Sequence, residues 1–258
     1  MTELFKEKIT LAEGQTFHLH LGKLRLHCTR LATEWQISQY WEETDLATAE
    51  TRLDYIVPKA NADFRYMVGK TKDYFNIKPK LANMNVVVRP VSPILIPKSA
   101  DVTFYISTTL WVEIVFETGK NTFIHEVPVQ IDSETWFGLN NYEGELCYSS
   151  STHARMHFNA LALHQGRIIT ALKIKNKTDK TIQVDRLNVP VRFLCVYQDE
   201  KQFLCTNDVS VELEGEKEDL DINIQKTPNS LFGKVSRLSD SRESIMKGVF
   251  KKAVATFF

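Results

Sequence analysis

Residues 15–28 read QTFHLHLGKLRLHC. Phe17, Leu19, Leu21, Leu24, Leu26 and Cys28 fall on one face of an extended chain, with His18, His20, Lys23, Arg25 and His27 on the other. A period of two is the signature of a half-buried strand. If Gly22-Lys23 forms a two-residue turn, Leu21 pairs with Leu24 and His18 lies across from His27.

Outward from this unit the same pattern recurs. EWQISQYW places Trp35, Ile37 and Trp41 on a common face, residues 44–50 read as one helical turn, and LDYIV and DFRYMV read as short strands. Prolines 90, 93 and 97 suit a strand at a sheet edge. TTLWVEIVFETG directs Leu110, Val112, Ile114 and Phe116 one way, and RIITALKIKNKTDKTIQVDRL reads as a hairpin around residues 176–180. Many short strands at near-regular spacing imply an all-β fold, a β-sandwich in two sandwich-like parts.

The expected organisation is an N-terminal β domain over 1–82 and a β-sandwich domain over 83–225. A linker over 226–238 and a C-terminal amphipathic α-helix over 239–258 complete it. Asp240 and Glu243 have capping-box spacing. Met246, Val249, Phe250, Ala253, Val254 and Phe257 form an apolar stripe, opposite Arg242, Lys247, Lys251 and Lys252. Such a helix would reach a protein partner or a membrane surface. Residues 212–221, with six carboxylates against Lys217, offer an internal alternative for its docking.

With 43% apolar and 25% charged residues in 258, the chain can bury a proper core. A net charge of zero gives no global argument for nucleic acid. The charged start MTELFKEKIT lacks a secretory signal and no apolar run reaches membrane-spanning length, so a cytoplasmic protein is expected. Cys28, Cys147, Cys195 and Cys205 show no CxxC spacing, which favours buried thiols. Cys195 and Cys205 would face each other across a three-residue turn at 199–201, a weak case for a disulfide because Lys201 stands where glycine is preferred. The sequon at Asn176 reads as a polar turn.

Residues 132–155, DSETWFGLNNYEGELCYSSSTHAR, read as a long loop that is too apolar to stay solvated. Cys147 is the candidate nucleophile there, with His153 or His125 as base and Glu145 to orient it. No helix follows to lower its pKa, and a structural thiol is the simpler reading. Trp136, Phe137, Tyr142 and Tyr148 are candidate binding anchors, with Arg155 as a charge-assisted contact. His18, His20 and His27 could converge on one metal, although Arg25 opposes a cation and simple solvent exposure is the plainer reading, so no metal is expected. His153 and His157 would be about 13 Å apart on a strand, too far to share an ion. Residues 59–80 interleave six cations with Phe64, Tyr66, Tyr74 and Phe75, a pattern found on single-strand nucleic-acid surfaces and on ordinary strands.

The string TWFGLNNYEGELCYSSSTHAR, preceded by EVPVQ, resembles the most recognisable block of an uncharacterised, mainly archaeal prokaryotic family labelled as a domain of unknown function. The matching residues are Pro128, Val129, Trp136, Phe137, Gly138, Gly144, Leu146, Cys147, Tyr148 and Thr152. The resemblance runs loosely through RPVSPILIP and DRLNVPV, mostly within residues 85–195, and implies no reaction, cofactor or catalytic residue. The expectation is a non-enzymatic binding protein without cofactor. The contrasting readings are a hydrolase-like enzyme centred on Cys147, Glu145 and His153, or single-stranded nucleic-acid binding through 59–80.

Overall fold

The computed structural model describes residues 4–5, 8–55, 62–119, 121–138, 144–158, 164–214 and 219–244. Strands dominate them, with short 3-10 turns and no α-helix among the described residues. The all-β expectation holds, but the C-terminal helix must be corrected. Ser239 ends a strand and residues 240–244 are not helical. The Asp240 carboxylate lies on Arg237 at 2.6 Å and that of Glu243 on Arg192 at 3.0 Å, so neither caps a helix start. The rest of that expected helix, 245–258, lies outside the described residues. Among the described residues no helix is long and apolar enough to cross a membrane.

The chain forms two compact units. Unit 1 comprises Met1–Lys80, Leu110–Ile131 and His164–Gly166, and unit 2 comprises Leu81–Thr109, Asp132–Leu163 and Arg167–Phe258. The chain leaves unit 1 after Lys80 and returns to it twice. Unit 1 opens with β1 (Ile9–Thr10), β2 (Thr16–Arg30), β3 (Glu34–Asp54), β4 (Phe64–Met67) and β5 (Tyr74–Lys80). In unit 2 follow β6 (Val86–Pro90), β7 (Ile94–Ile96) and β8 (Asp101–Thr109). Unit 1 is completed by β9 (Trp111–Glu117) and β10 (Thr122–Pro128).

Unit 2 resumes with β11 (Glu134–Phe137), β12 (Glu145–Thr152), β13 (Arg167–Asn176), β14 (Ile182–Val184) and β15 (Leu187–Val189). It ends with β16 (Val196–Asp199), β17 (Leu204–Thr206), β18 (Val209–Glu214), β19 (Asp219–Ile224) and β20 (Val235–Ser239). The expected linker therefore contains most of β20, which pairs with β16, and a 3-10 turn that buries Phe232.

In unit 1 one sheet has the order β1-β5-β9-β10 and the other β2-β3-β4. Trp35, Phe75 and Phe116, all fully buried, meet at ring distances of 5.0–5.9 Å. Each such ring contributes roughly 2–3 kcal/mol by burial. The six apolar residues of 17–28 expected inside are all buried. Residues 44–50, expected as a helical turn, are instead the middle of β3, where threonines and alternating charges suit an exposed strand.

A polar centre in unit 1 holds His125, only 6% exposed. Its Nε2–H donates to Gln39 Oε1 at 2.7 Å and its Nδ1 accepts from the Tyr66 hydroxyl at 2.9 Å, a neutral ring with both nitrogens satisfied. Burial pulls its pKa down to about 4. A depressed histidine pKa contributes stability that is present above the unfolded value near 6.5 and is lost as pH falls through the folded value. Between those limits the wild type should lose about 3 kcal/mol through this residue. Urea midpoints at pH 7 and pH 4 check this: His125→Gln should show a visibly smaller acid loss than wild type.

In unit 2 the order of one sheet is β11-β12-β6-β15, and that of a seven-stranded sheet is β19-β18-β13-β17-β16-β20 with β8 on β13. The 132–155 segment is thus not a structureless loop. Its arms pair antiparallel, Trp136 opposite Leu146 and Phe137 opposite Glu145, and residues 139–143 lie outside the described residues. All four cysteines are free and buried. Tyr197, rather than Cys195, stands opposite Cys205, because the β16–β17 turn extends to Gln202 in the left-handed region.

Candidate functional site

Two places concentrate the residues singled out above, one in each unit. In unit 1, β2 doubles back about Gly22–Lys23. Nine residues of straight strand would separate His18 from His27 by about 30 Å, yet their Nδ1 atoms are 2.6 Å apart. The Thr16 and Thr29 hydroxyls meet at 2.8 Å, and Arg30 N–H donates to Gln15 O at 3.0 Å, in the same antiparallel register. Gly22, with φ of 55°, occupies the first central position of the turn, where a type II′ turn requires glycine. The turn anticipated from sequence is therefore present, inside what is otherwise one extended element.

β3 flanks both arms and sets Glu50 opposite His20, Arg52 opposite His18 and Ser38 opposite His27. His18 Nε2–H donates to Asp54 Oδ1 at 2.9 Å, and the other oxygen of Asp54 takes Arg52 Nε at 2.8 Å. With its Nε2 proton so committed, His18 accepts at Nδ1 from His27 Nδ1–H. The His20 and His27 rings are 6.0 Å apart. His18, His20, Glu50, Thr51 and Arg52 line an open cleft of about 300 Å3. Burial, then repulsion from the neighbouring histidines, pulls His27 down to about 4, and burial with Arg25 lowers His20. Both shifts favour the neutral form of His20 and His27. Arg25 is buried rather than solvent-facing, its guanidinium on Gly22 O, Leu24 O and the Glu42 carboxylate. Glu50, Arg52 and Asp54 escaped sequence reading because Glu50 fell in an expected helical turn, Asp54 in a separate strand and Arg52 between the two. Their spacing of two was the available signal.

In unit 2 the β11–β12 hairpin separates its candidates. Cys147 is fully buried with Val87 and Phe137, and burial together with Glu145 pushes its thiol up to about 12. Glu145 Oε1 accepts from Asn85 Nδ2 at 3.1 Å and Asn188 Nδ2 at 2.5 Å, so it ties strand ends together instead of orienting a base. His153 is exposed, and among the described residues no contact joins it to Cys147. These positions do not form a nucleophile with its base. Phe137 is buried beneath Arg186, 5.2 Å from its ring, and Tyr142 lies outside the described residues. Tyr148 is half-buried, its hydroxyl donating to Asn83 at 3.1 Å. The Arg155 carbonyl accepts from Tyr105 N–H at 2.9 Å while its side chain is exposed.

Trp136 and Leu146, a cross-strand pair, remain 42% and 46% exposed. A Cβ on Gly144 would lie 2.2 Å from Trp136 Nε1 and 2.8 Å from Phe137 O, so the bare glycine seats the indole. Ser149 N–H donates to Ser133 O at 2.7 Å, which fixes the alternation of the ladder. The backbone N–H and C=O groups of Glu134 and Trp136 consequently point away from β12.

In the described part of the 59–80 segment several cations and aromatics serve the fold, while Phe64 remains 42% exposed. Arg65 pairs with Glu34, Lys72 with Glu117 and Lys80 with Glu113, while Phe75 is core and the hydroxyls of Tyr66 and Tyr74 serve His125 and Glu117. Lys59 lies outside the described residues.

No curated protein and no solved structure matches the chain. A family described as a protein of unknown function, DUF432, matches residues 7–258, extending well beyond the 85–195 region of the sequence resemblance. The chain belongs to the DUF432 family of proteins of unknown function.

Proposed function

We propose that this protein is a non-enzymatic binding module that takes an extended segment of a partner protein as an added strand on β11. The observation that carries the reading is the exposed Trp136–Leu146 pair on the terminal strand of its sheet. Strand addition draws affinity from main-chain hydrogen bonds and specificity from alternating side chains. Glu134 is exposed on the strand and Asp132 precedes it, which favours a segment alternating apolar with basic residues. The buried thiol of Cys147 and its separation from His153 support binding over covalent catalysis. A reducing, cytoplasmic setting suits four free cysteines.

A random-peptide display selection against the full chain tests the proposal. Enriched peptides should alternate apolar and basic residues and lose at least tenfold in affinity with Trp136→Ala. Glu134→Pro should act similarly, since it removes an outward N–H and spares the ladder to β12. Peptides that bind wild type and both variants equally, or a selection without enrichment, would overturn it.

A further inference from the structure

We infer that the doubled-back β2 builds a site for a divalent metal of the zinc type, with His18, His27 and His20 as ligands and the cleft supplying an open coordination position. The inference is independent of the edge-strand reading, since all of these residues belong to unit 1. No three ligating groups already surround one point among the described residues. What the geometry holds is a closed pair that a metal would open.

Two imidazole nitrogens on a tetrahedral zinc, each at about 2.0–2.1 Å, stand about 3.3 Å apart. The two Nδ1 atoms are at 2.6 Å, so replacing the shared proton by a metal requires well under 1 Å of separation. Rings bound to one such ion have centroids about 5 Å apart. The observed separations, 4.7 Å for His18–His27 and 6.0 Å for His20–His27, bracket that value.

The surroundings point the same way. Metal-bound histidines commonly donate their second N–H to a carboxylate, which fixes the tautomer and the ring orientation. His18 does so to Asp54, itself held by Arg52. That leaves the His18 Nδ1 lone pair aimed at His27 and not at solvent. Binding needs no net proton release: the single hydrogen of neutral His27 moves through solvent from Nδ1 to Nε2, which frees the Nδ1 lone pair for the metal. The two arginines that would repel a cation are committed, Arg25 to Glu42 and Arg52 to Asp54. Glu50, lining the cleft opposite His20, adds negative charge.

The test uses the untagged full chain, stripped with a chelator and titrated with Zn2+ by calorimetry and with Co2+ by visible absorption. One saturable site with the absorption of tetrahedral Co2+ is expected. His20→Gln should weaken binding at least tenfold, and Asp54→Asn ten- to hundredfold. His164→Gln, whose ring lies on Asp45 elsewhere in unit 1, should leave affinity unchanged. His20 is half-buried and makes no hydrogen bond to lose among the described residues, so its variant keeps the wild-type circular dichroism. Absence of saturable binding by wild type, or equal affinity in folded His20→Gln, would overturn the inference.

Discussion

Replacing Asn176 with alanine is expected to destabilise unit 2 by about 3–4 kcal/mol, since one buried side chain there serves five partners, two of them sharing one amide hydrogen, at about 1 kcal/mol net per full hydrogen bond. Its Nδ2 donates to the carbonyls of Ile96 and Pro97, each at 3.0 Å, and of Lys180 at 2.9 Å. Its Oδ1 accepts from the Thr178 amide at 3.0 Å and the Thr178 hydroxyl at 2.6 Å. Asn176 is 1% exposed, so alanine would strand these groups away from water. Aspartate should be no better, because it sets a carboxylate against three carbonyl oxygens. Urea unfolding of the full chain measures the effect, and a loss below about 1 kcal/mol would show that water replaces the amide. Asn176 and Thr178 of the sequon are both buried, while Lys177 between them is exposed.

Gly22→Ala should cost unit 1 about 3 kcal/mol. Two terms add: a Cβ in the left-handed region costs roughly 1–2 kcal/mol, and overpacking roughly 1–3 kcal/mol. The new Cβ would sit 2.5 Å from Val129 Cγ1 and 3.3 Å from Asp45 Oδ1. Both contacts belong to unit 1, so the strain falls on the turn that brings the histidines together. A variant within about 0.5 kcal/mol of wild type in urea would mean that the turn relaxes without penalty. If Gly22→Ala folds but loses its metal affinity, the doubled-back strand and the cluster are one construction.

Much of the fold was legible because period-two alternation survives wherever one face is buried. Phe17 to Cys28 and Leu110 to Phe116 point inward as their spacing indicates. The Gly22-Lys23 turn was legible for a specific reason, the need for glycine at a positive φ. What escaped was long-range placement. Nothing local in Leu110–Ile131 says that it joins the N-terminal sheets, and β3 lost its identity where its exposed half becomes mostly polar and loses the period-two alternation. The capping-box spacing at Asp240 and Glu243 misled because both carboxylates serve arginines instead, one of them on a distant segment. Among the site candidates, polarity alone could not tell His153 and Arg155, exposed on the surface, from His18 and His27, buried in a cluster.

The reading of β11 as a docking edge is tested most directly by amide hydrogen exchange with and without a saturating segment from the display selection. The account predicts that exchange at Glu134 slows at least tenfold, while Leu187–Val189 at the opposite edge of the same sheet is unaffected. Unchanged exchange at Glu134, with protection appearing at Leu187–Val189 or within unit 1, would contradict it.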